Sequence, residues 1–150
     1  MRFAILWLLA LPLILGCMPG PKSGQGFTLP DGDAEQGKKT FTQLQCQACH
    51  TVKGIEFEAV AAAEDQRMIP LGGDTTYVRT YGSLVTSIIN PSHRFALGHN
   101  QDEIKTPEGE SKMRRYNDEM TVTQLTDLVA FLQGQYTVQP YQPTPYMPYH

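Results

Sequence analysis

The residues with the clearest chemistry in this sequence form the pentapeptide CQACH at positions 46 to 50. Cys46 and Cys49 project from the same side of one helical turn, so both thiols can bond to one flat partner. The adjacent His50 can then turn a ring nitrogen toward the centre of that partner. A haem meets these demands, because its two vinyl groups take thioethers from the cysteines and its iron takes the histidine as proximal ligand. The motif therefore predicts one covalently bound haem c.

Three other interpretations of the motif stay open. A thioredoxin-like redox pair would follow a strand in a βαβ unit, which the helical pattern of this chain does not favour. A zinc site would need further ligands, and the chain has no second cysteine pair to supply them. A structural disulfide between Cys46 and Cys49 would close a strained ring and would leave His50 unexplained.

The N-terminal segment has the layout of an export signal. Residues 1–16 place Arg2 ahead of an apolar run that is too short to cross a bilayer as a helix. The run ends in ILGC, which resembles the lipobox of bacterial lipoproteins, where the cysteine receives the lipid and becomes the new N-terminus. We therefore expect a lipid-anchored protein that faces the periplasm from a bacterial membrane, with lipidated Cys17 as its first residue. The alternative is an ordinary signal peptide cut nearby.

A first helix is predicted to lead into the motif. Asp33 can cap its first turn, and Gln36 completes a capping-box-like pair. The helix then runs through Phe41 and Leu44, which fall on one face, toward CQACH. This helix would position the two cysteines.

Two further helices follow the motif. One is predicted from Thr75 to Ile89, where apolar residues recur at three- and four-residue steps until Asn90-Pro91 ends the helix. The last begins at Thr121 with the capping box TVTQ and ends at Gly134. The predicted buried faces consist of Tyr77, Val78, Tyr81, Leu84, Val85, Ile88 and Ile89 in the former, and Val122, Leu125, Leu128, Val129 and Leu132 in the latter.

These elements divide the chain into four parts. A signal peptide over residues 1–16 is followed by a linker rich in proline and glycine over 17–32. The folded domain spans 33–134 and contains a polar loop over 91–112. The tail 135–150 repeats tyrosine and proline and is expected to be extended. No segment alternates as a strand, so the fold class is predicted to be all-α.

The chain resembles a monohaem class I cytochrome c over residues 33–134. GKKTF, with Gly37 and Phe41, is similar to the first helix of that family, and LVAFL, with Phe131 and Leu132, is similar to the end of its last helix. The resemblance implies a cytochrome c fold, in which the N- and C-terminal helices cross around the covalently bound haem. Gly37 would then let the two backbones approach closely.

The resemblance also implies site residues beyond the motif. Pro70 in IPLGG is similar to the proline whose carbonyl holds the second ring nitrogen of His50. Met113 in KMRRYNDEM is similar to the distal iron ligand, whereas Met120 is expected to pack in the core. His93 is the nitrogen rival, and bis-histidine ligation would lower the potential.

Arginine and tyrosine side chains are the candidates to pair with the haem propionates, which are costly to bury without a partner. Arg94 is the predicted cofactor-binding residue, and Arg79, Tyr77 and Tyr81 are further candidates. The single tryptophan, Trp7, leaves with the signal peptide. The tryptophan that often helps to hold a propionate in this family is therefore missing.

Filled axial positions leave the iron no site for a substrate, so the resemblance implies an electron carrier rather than an enzyme. We expect it to pass single electrons between membrane-associated or periplasmic redox enzymes, and a tether at Cys17 would concentrate it near membrane respiratory complexes. The formal net charge of −3 disfavours nucleic acid as a partner. One alternative is a fixed subunit of a larger respiratory complex. Another is a haem enzyme or gas sensor with a displaceable Met113.

Overall fold

The computed structural model of this protein describes residue 24 and residues 26–60 and 67–140. The predicted signal peptide 1–16, the lipidation site Cys17 and residues 141–150 of the tail lie outside the described residues. The helices are α1 (Ala34–Gln43), α2 (Tyr81–Ile89), α3 (Gln101–Ile104) and α4 (Val122–Gln133), with short 3₁₀ turns at Cys46–Ala48 and Pro91–His93. The strands are β1 (His50–Val52), β2 (Ile69–Leu71), β3 (Gly73–Thr75) and β4 (Tyr136–Val138).

Helix α1 begins where its capping residue predicts. The Asp33 carboxylate accepts hydrogen bonds from the backbone N–H groups of Glu35 (2.8 Å) and Gln36 (3.2 Å), as an N-cap requires. The reciprocal half of the predicted capping box is wrong, because the N–H of Asp33 donates to the Asp127 carboxylate of α4 at 2.8 Å. The start of the first helix is therefore tied to the last helix.

Helices α1 and α4 form the most extensive contact between elements of the described chain. A Cβ built on Gly37 would overlap the carbonyl oxygen of Asp127 and would lie 2.7 Å from the Cβ of Phe131. The Phe41 ring is 1% exposed, and its centroid lies 5.8 Å from that of Phe131 in an edge-on arrangement. The predicted close approach of the two backbones at Gly37 is confirmed.

Helix α2 is shorter than its sequence pattern predicts, because it begins at Tyr81 and not at Thr75. The Thr80 hydroxyl accepts from the N–H of Ser83 at 3.2 Å and so fixes the first turn. Thr75 itself lies in strand β3. Two residues assigned to the buried helix face precede the helix and are exposed: Tyr77 and Val78. The predicted end of the helix at Asn90-Pro91 is confirmed.

Helix α4 carries the capping box predicted for it. The Thr121 hydroxyl accepts from the N–H of Gln124 at 3.1 Å, and the Gln124 side chain accepts from the N–H of Thr121 at 2.9 Å. Gly134 is the C-cap, also as predicted. Val122 was expected on the buried face but is 72% exposed, because it lies at the first helical position, a turn ahead of the core.

Four strands of three residues each correct the prediction that the chain contains no strand. They form two parallel pairs, in which His50 of β1 lies opposite Ile69 of β2, and Gly73 of β3 lies opposite Tyr136 of β4. Three residues are too few for alternation to appear in a sequence. Helices carry most of the core, and the strands connect the segments around it.

The core is built from three helices and one strand residue. Its members are Phe41, Val52, Leu84, Val85, Ile88, Leu128, Val129, Phe131 and Leu132. The described end of the predicted linker packs against this core, because Leu29 contacts it and the Phe27 carbonyl accepts from the Tyr81 hydroxyl at 2.6 Å. No helix in the described ranges is long and apolar enough to cross a membrane.

Candidate functional site

A cavity of about 670 Å³ lies between the helices and the loops that follow α2. Volumes of this order are typical of pockets for drug-sized ligands and cofactors. The six main haem-binding candidates of the folded domain all line this one cavity: Cys46, Cys49, His50, Pro70, Arg94 and Met113. Much of the remaining lining is apolar and comes from the core. The residues present therefore fit a large, mostly apolar group that carries negative charge at one edge.

The two cysteines reach the cavity from a tight turn and not from a regular α-helix. A 3₁₀ turn spans Cys46–Ala48, and the N–H of Cys49 donates to the Cys46 carbonyl at 3.2 Å. Gln45, just before the turn, has the left-handed backbone φ of 57° that reverses the chain after α1. This reversal turns the motif away from the helix axis and toward the cavity.

Burial raises the pKa of the Cys46 thiol to about 11, and the neighbouring Cys49 adds to the effect. A thiol with this pKa is protonated at neutral pH and is a weak nucleophile. A thioredoxin-like pair needs the opposite, a pKa lowered toward neutrality. The environment of Cys46 therefore does not favour the redox-pair interpretation of CQACH.

His50 is held by the backbone of strand β2. Its Nδ1 lies 3.2 Å from the carbonyl oxygen of Ile69, which leaves Nε2 as the nitrogen for a metal when Nδ1 carries the proton. Burial lowers the pKa of His50, and the hydrogen bond to Ile69 opposes this shift, so the environment favours the neutral imidazole. A neutral, oriented imidazole is the form that ligates iron.

The carbonyl that holds His50 was predicted to be that of Pro70, and the structure corrects this by one residue. The register of the β1–β2 pair sets His50 opposite Ile69, so the Ile69 carbonyl is the one within reach. Pro70 lines the cavity beside it. The role assigned to the IPLGG segment is kept, and the residue that performs it changes.

Met113 lies at the end of the loop that follows α3 and is half-buried against the cavity. Its N–H donates to the Ser111 hydroxyl at 3.1 Å, and the N–H of Ser111 donates to the Ser92 hydroxyl at 3.0 Å. The N–H of Lys112 donates to the Ile104 carbonyl at 2.9 Å. The Met113 segment is thus fixed by side-chain hydroxyls and one backbone bond.

The rival axial ligands separate by position. Met120 also lines the cavity and packs against the core, as its predicted packing role requires. Met68 is 38% exposed and does not line the cavity. His93 is exposed, with its Nδ1 3.0 Å from the Asn90 carbonyl, and His99 is also absent from the lining. Among the described methionines, Met113 and Met120 line the cavity, and Met113 stays the predicted ligand.

Tyr116 supports the wall between these two methionines. It is buried, and its hydroxyl donates to the Leu44 carbonyl at the end of α1 at 2.9 Å. The N–H of Met120 in turn donates to the Tyr116 carbonyl at 2.8 Å. Burial raises the pKa of this phenol.

The candidates for the propionates differ in their surroundings. Arg79, Tyr77 and Arg94 line the cavity, whereas Tyr81 does not and is hydrogen-bonded to Phe27 instead. The Nε of Arg79 is buried and has no hydrogen-bond partner among the described residues.

Three residues that sequence reasoning did not assign to the site also belong to it: Tyr136, which lines the cavity, and the serines Ser92 and Ser111, which hold Met113.

A zinc centre finds no ligand set in the described ranges, since no group of three or more His, Cys, Asp or Glu side chains there is arranged to hold a metal ion.

The comparisons with known proteins point the same way as the cavity. A family model described as Cytochrome c matches residues 34–135, which is more than half of the 150 residues. Comparison with curated proteins and with solved structures gave no match.

Proposed function

The chain belongs to the cytochrome c family, whose members bind haem c covalently and transfer electrons, and we propose that it is a monohaem carrier. Cys46 and Cys49 form the thioethers, His50 is the proximal ligand and Met113 the distal one. The observation that carries this proposal is the convergence of these four residues on one cavity of about 670 Å³. When bound, the haem supplies an iron that gains or loses one electron.

The protein residues prepare this site for electron transfer. The Ile69 carbonyl fixes the tautomer and the orientation of His50. Apolar side chains from α1, α2 and α4, including Phe41, Leu84 and Leu128, exclude water from the cavity wall. A dry, packed wall changes little when a charge arrives or leaves, and it disfavours the additional charge of oxidised iron.

If His50 and Met113 both bound the haem iron, no position on the iron would remain for a substrate. Met113 and His50 reach the cavity from separate segments, which supports ligation from two sides. An electron carrier needs only an exposed edge of its cofactor and brief contacts with its partners. The proposed partners are membrane-associated or periplasmic redox enzymes that donate and accept single electrons.

The ILGC sequence supports a lipid anchor at Cys17, and the proline- and glycine-rich segment after it supports a tether. Phe27 and Leu29 already pack against the domain, so the tether would end before residue 27. Such an arrangement would keep the carrier near the periplasmic face of a membrane and raise its effective concentration there.

Two measurements on the mature holoprotein test this function. Potentiometric titration followed by absorbance should be reversible and fit a one-electron curve, and acid-acetone extraction should leave the colour with the polypeptide. Extraction of the haem into the organic layer, or a titration that is irreversible, would contradict the proposal.

The lipid anchor has its own test. Cys17→Ser should release the protein from membranes with an unchanged spectrum, and a wild-type N-terminus well beyond residue 17 would contradict the anchor.

A further inference from the structure

Arg79 lies in the segment between strand β3 and helix α2, at the boundary between two hollows. It lines the large cavity and also an adjoining, more open pocket of about 380 Å³. Pro70, Tyr77 and Tyr136 line both hollows as well. This boundary is where a mostly apolar cofactor inside the cavity would present a polar edge toward water.

Two tyrosine rings hold the Arg79 side chain. The guanidinium carbon lies 4.6 Å from the centroid of the Tyr77 ring and 5.6 Å from that of Tyr136. Its Nη2 donates to the Tyr77 hydroxyl at 2.9 Å, and the Arg79 carbonyl accepts from the Gln133 side chain at 3.0 Å. The guanidinium is therefore positioned before any ligand arrives, which reduces the entropy that binding would cost.

The anion that this cation would pair with is not among the described residues. The Nε of Arg79 is buried without a hydrogen-bond partner, and none of the ion pairs of the described residues includes Arg79. A buried donor of a charged group is costly when it is left without an acceptor. The guanidinium presents a planar fork of donors that matches a carboxylate.

Tyr136 comes from outside the region that the family model matches, which ends at residue 135. Strand β4 is fixed beside β3 by hydrogen bonds from the N–H of Gly73 to the Gln135 carbonyl and from the N–H of Gln139 to the Thr75 carbonyl, both 2.8 Å. The extension beyond the last helix thus adds a wall to the cofactor cavity.

We propose that Arg79, clamped between Tyr77 and Tyr136, binds a haem propionate, and that the C-terminal strand β4 is a functional part of the cofactor site. This inference rests on the proposed function. It replaces Arg94, the residue that the sequence favoured for this role. Arg94 lines the cavity but is exposed, and neither a ring nor a hydrogen bond from the described residues holds it.

The test uses holoprotein whose haem carries ¹³C at the propionate carboxyls, so that each carboxyl titrates visibly by NMR. Arg79→Gln should raise the pKa of one propionate by about 1 or more, because a nearby guanidinium favours the carboxylate form. Arg94→Gln is the matched control and should leave both titration curves in place. The covalent haem and the axial-ligand spectrum should be unchanged in both variants.

Substitutions at Tyr136 provide a second test that leaves the arginine intact. Tyr136→Leu removes one ring of the clamp and should move the same propionate in the same direction by a smaller amount, whereas Tyr136→Phe keeps the ring and should match the wild type. This pair decides the proposal if Arg79→Gln does not accumulate.

The failures of the two proposals are distinguishable. Wild-type protein without covalent haem would overturn the proposed function and this inference together. Covalent haem with unmoved curves in Arg79→Gln, or with curves that move in Arg94→Gln instead, would overturn the Arg79 assignment alone. Equal titration of Tyr136→Leu and wild type would overturn the part assigned to strand β4.

Discussion

The two sides of the cavity are held by different kinds of structure. On the His50 side, the parallel register of β1 and β2 sets the histidine against the Ile69 carbonyl. On the Met113 side, the chain is irregular, and the hydroxyls of Ser92 and Ser111 are its main supports. A backbone ladder survives most side-chain changes, whereas a hydroxyl is lost with one substitution. We therefore expect distal ligation to fail more easily than proximal ligation.

The largest effect on the difference between the two sides is expected from replacing Met113, the predicted distal ligand. Met113→Ala should open the sixth position of the iron, abolish the weak near-infrared sulfur-to-iron band of the oxidised protein and lower the potential, because a thioether favours ferrous iron. The haem should stay on the polypeptide, because the thioethers are unaffected. Absorption spectroscopy and a redox titration measure both changes.

Met120→Ala is the matched control for that variant. It should keep the near-infrared band. Its free energy of unfolding should fall by less than the loss of about 2–5 kcal/mol for a fully buried methionine, since Met120 is only partly buried. Loss of the band in Met120→Ala and its persistence in Met113→Ala would show that the two methionines had been assigned the wrong way round.

A smaller effect is expected from changes to the packing of helix α1 on helix α4. Gly37→Ala would force a methyl group against the Asp127 carbonyl and should lower the free energy of unfolding by about 1–3 kcal/mol. The near-infrared band should persist at temperatures where the protein is folded. Thermal unfolding followed by absorbance measures both quantities.

Gly82→Ala is the control for crowding, because a Cβ there meets nothing within 4 Å. Gly82 lies in helix α2, where alanine is the better helix former, so this variant should be neutral or slightly more stable. Equal destabilisation by both substitutions would contradict the close packing of α1 on α4.

The sequence predicts some parts of the site and not others. Parts that depend on neighbouring residues are predictable, whereas contacts between distant segments of the chain are not. CQACH is a local pattern, so the three candidate residues in it are predicted from spacing alone, and the capping residues Asp33 and Thr121 are equally local. The partner of His50 depends on pairing two strands of three residues, which no periodicity announces. The Tyr136 clamp on Arg79 joins segments far apart in the chain, and the start of α2 depends on which threonine caps it.

The serine supports of the distal side are expected to be worth less than the helix packing. Ser111→Ala removes the acceptor for the N–H of Met113 and should cost about 0.5–1.5 kcal/mol, the usual net value of one hydrogen bond. Exogenous imidazole should then displace the methionine up to about tenfold more easily. Spectral titration with imidazole measures this, with the exposed Thr123→Ala as control. An unchanged imidazole affinity would contradict the conclusion that the Met113 side is the more weakly held side of the cavity.

The smallest effect concerns the strands on the surface. Hydrogen bonds from Gln139 and Lys53, together with the charge of that lysine, lower the pKa of Asp74 below its usual 3.8. The stabilisation is therefore present above pH 3.8 and is lost as the pH falls through the lowered value. Asp74→Asn should remove this part of the acid dependence of the melting temperature. An identical acid dependence in the two proteins would contradict it.

The most direct test of the central claim is the mass of one peptide from the mature protein. Tryptic cleavage after Lys39 and Lys53 releases residues 40–53, which contain CQACH and no other cysteine. After acid-acetone treatment, we expect this peptide to carry the added mass of one haem, bound through both Cys46 and Cys49. A peptide at its unmodified mass, or at the mass of an internal disulfide, would contradict the account.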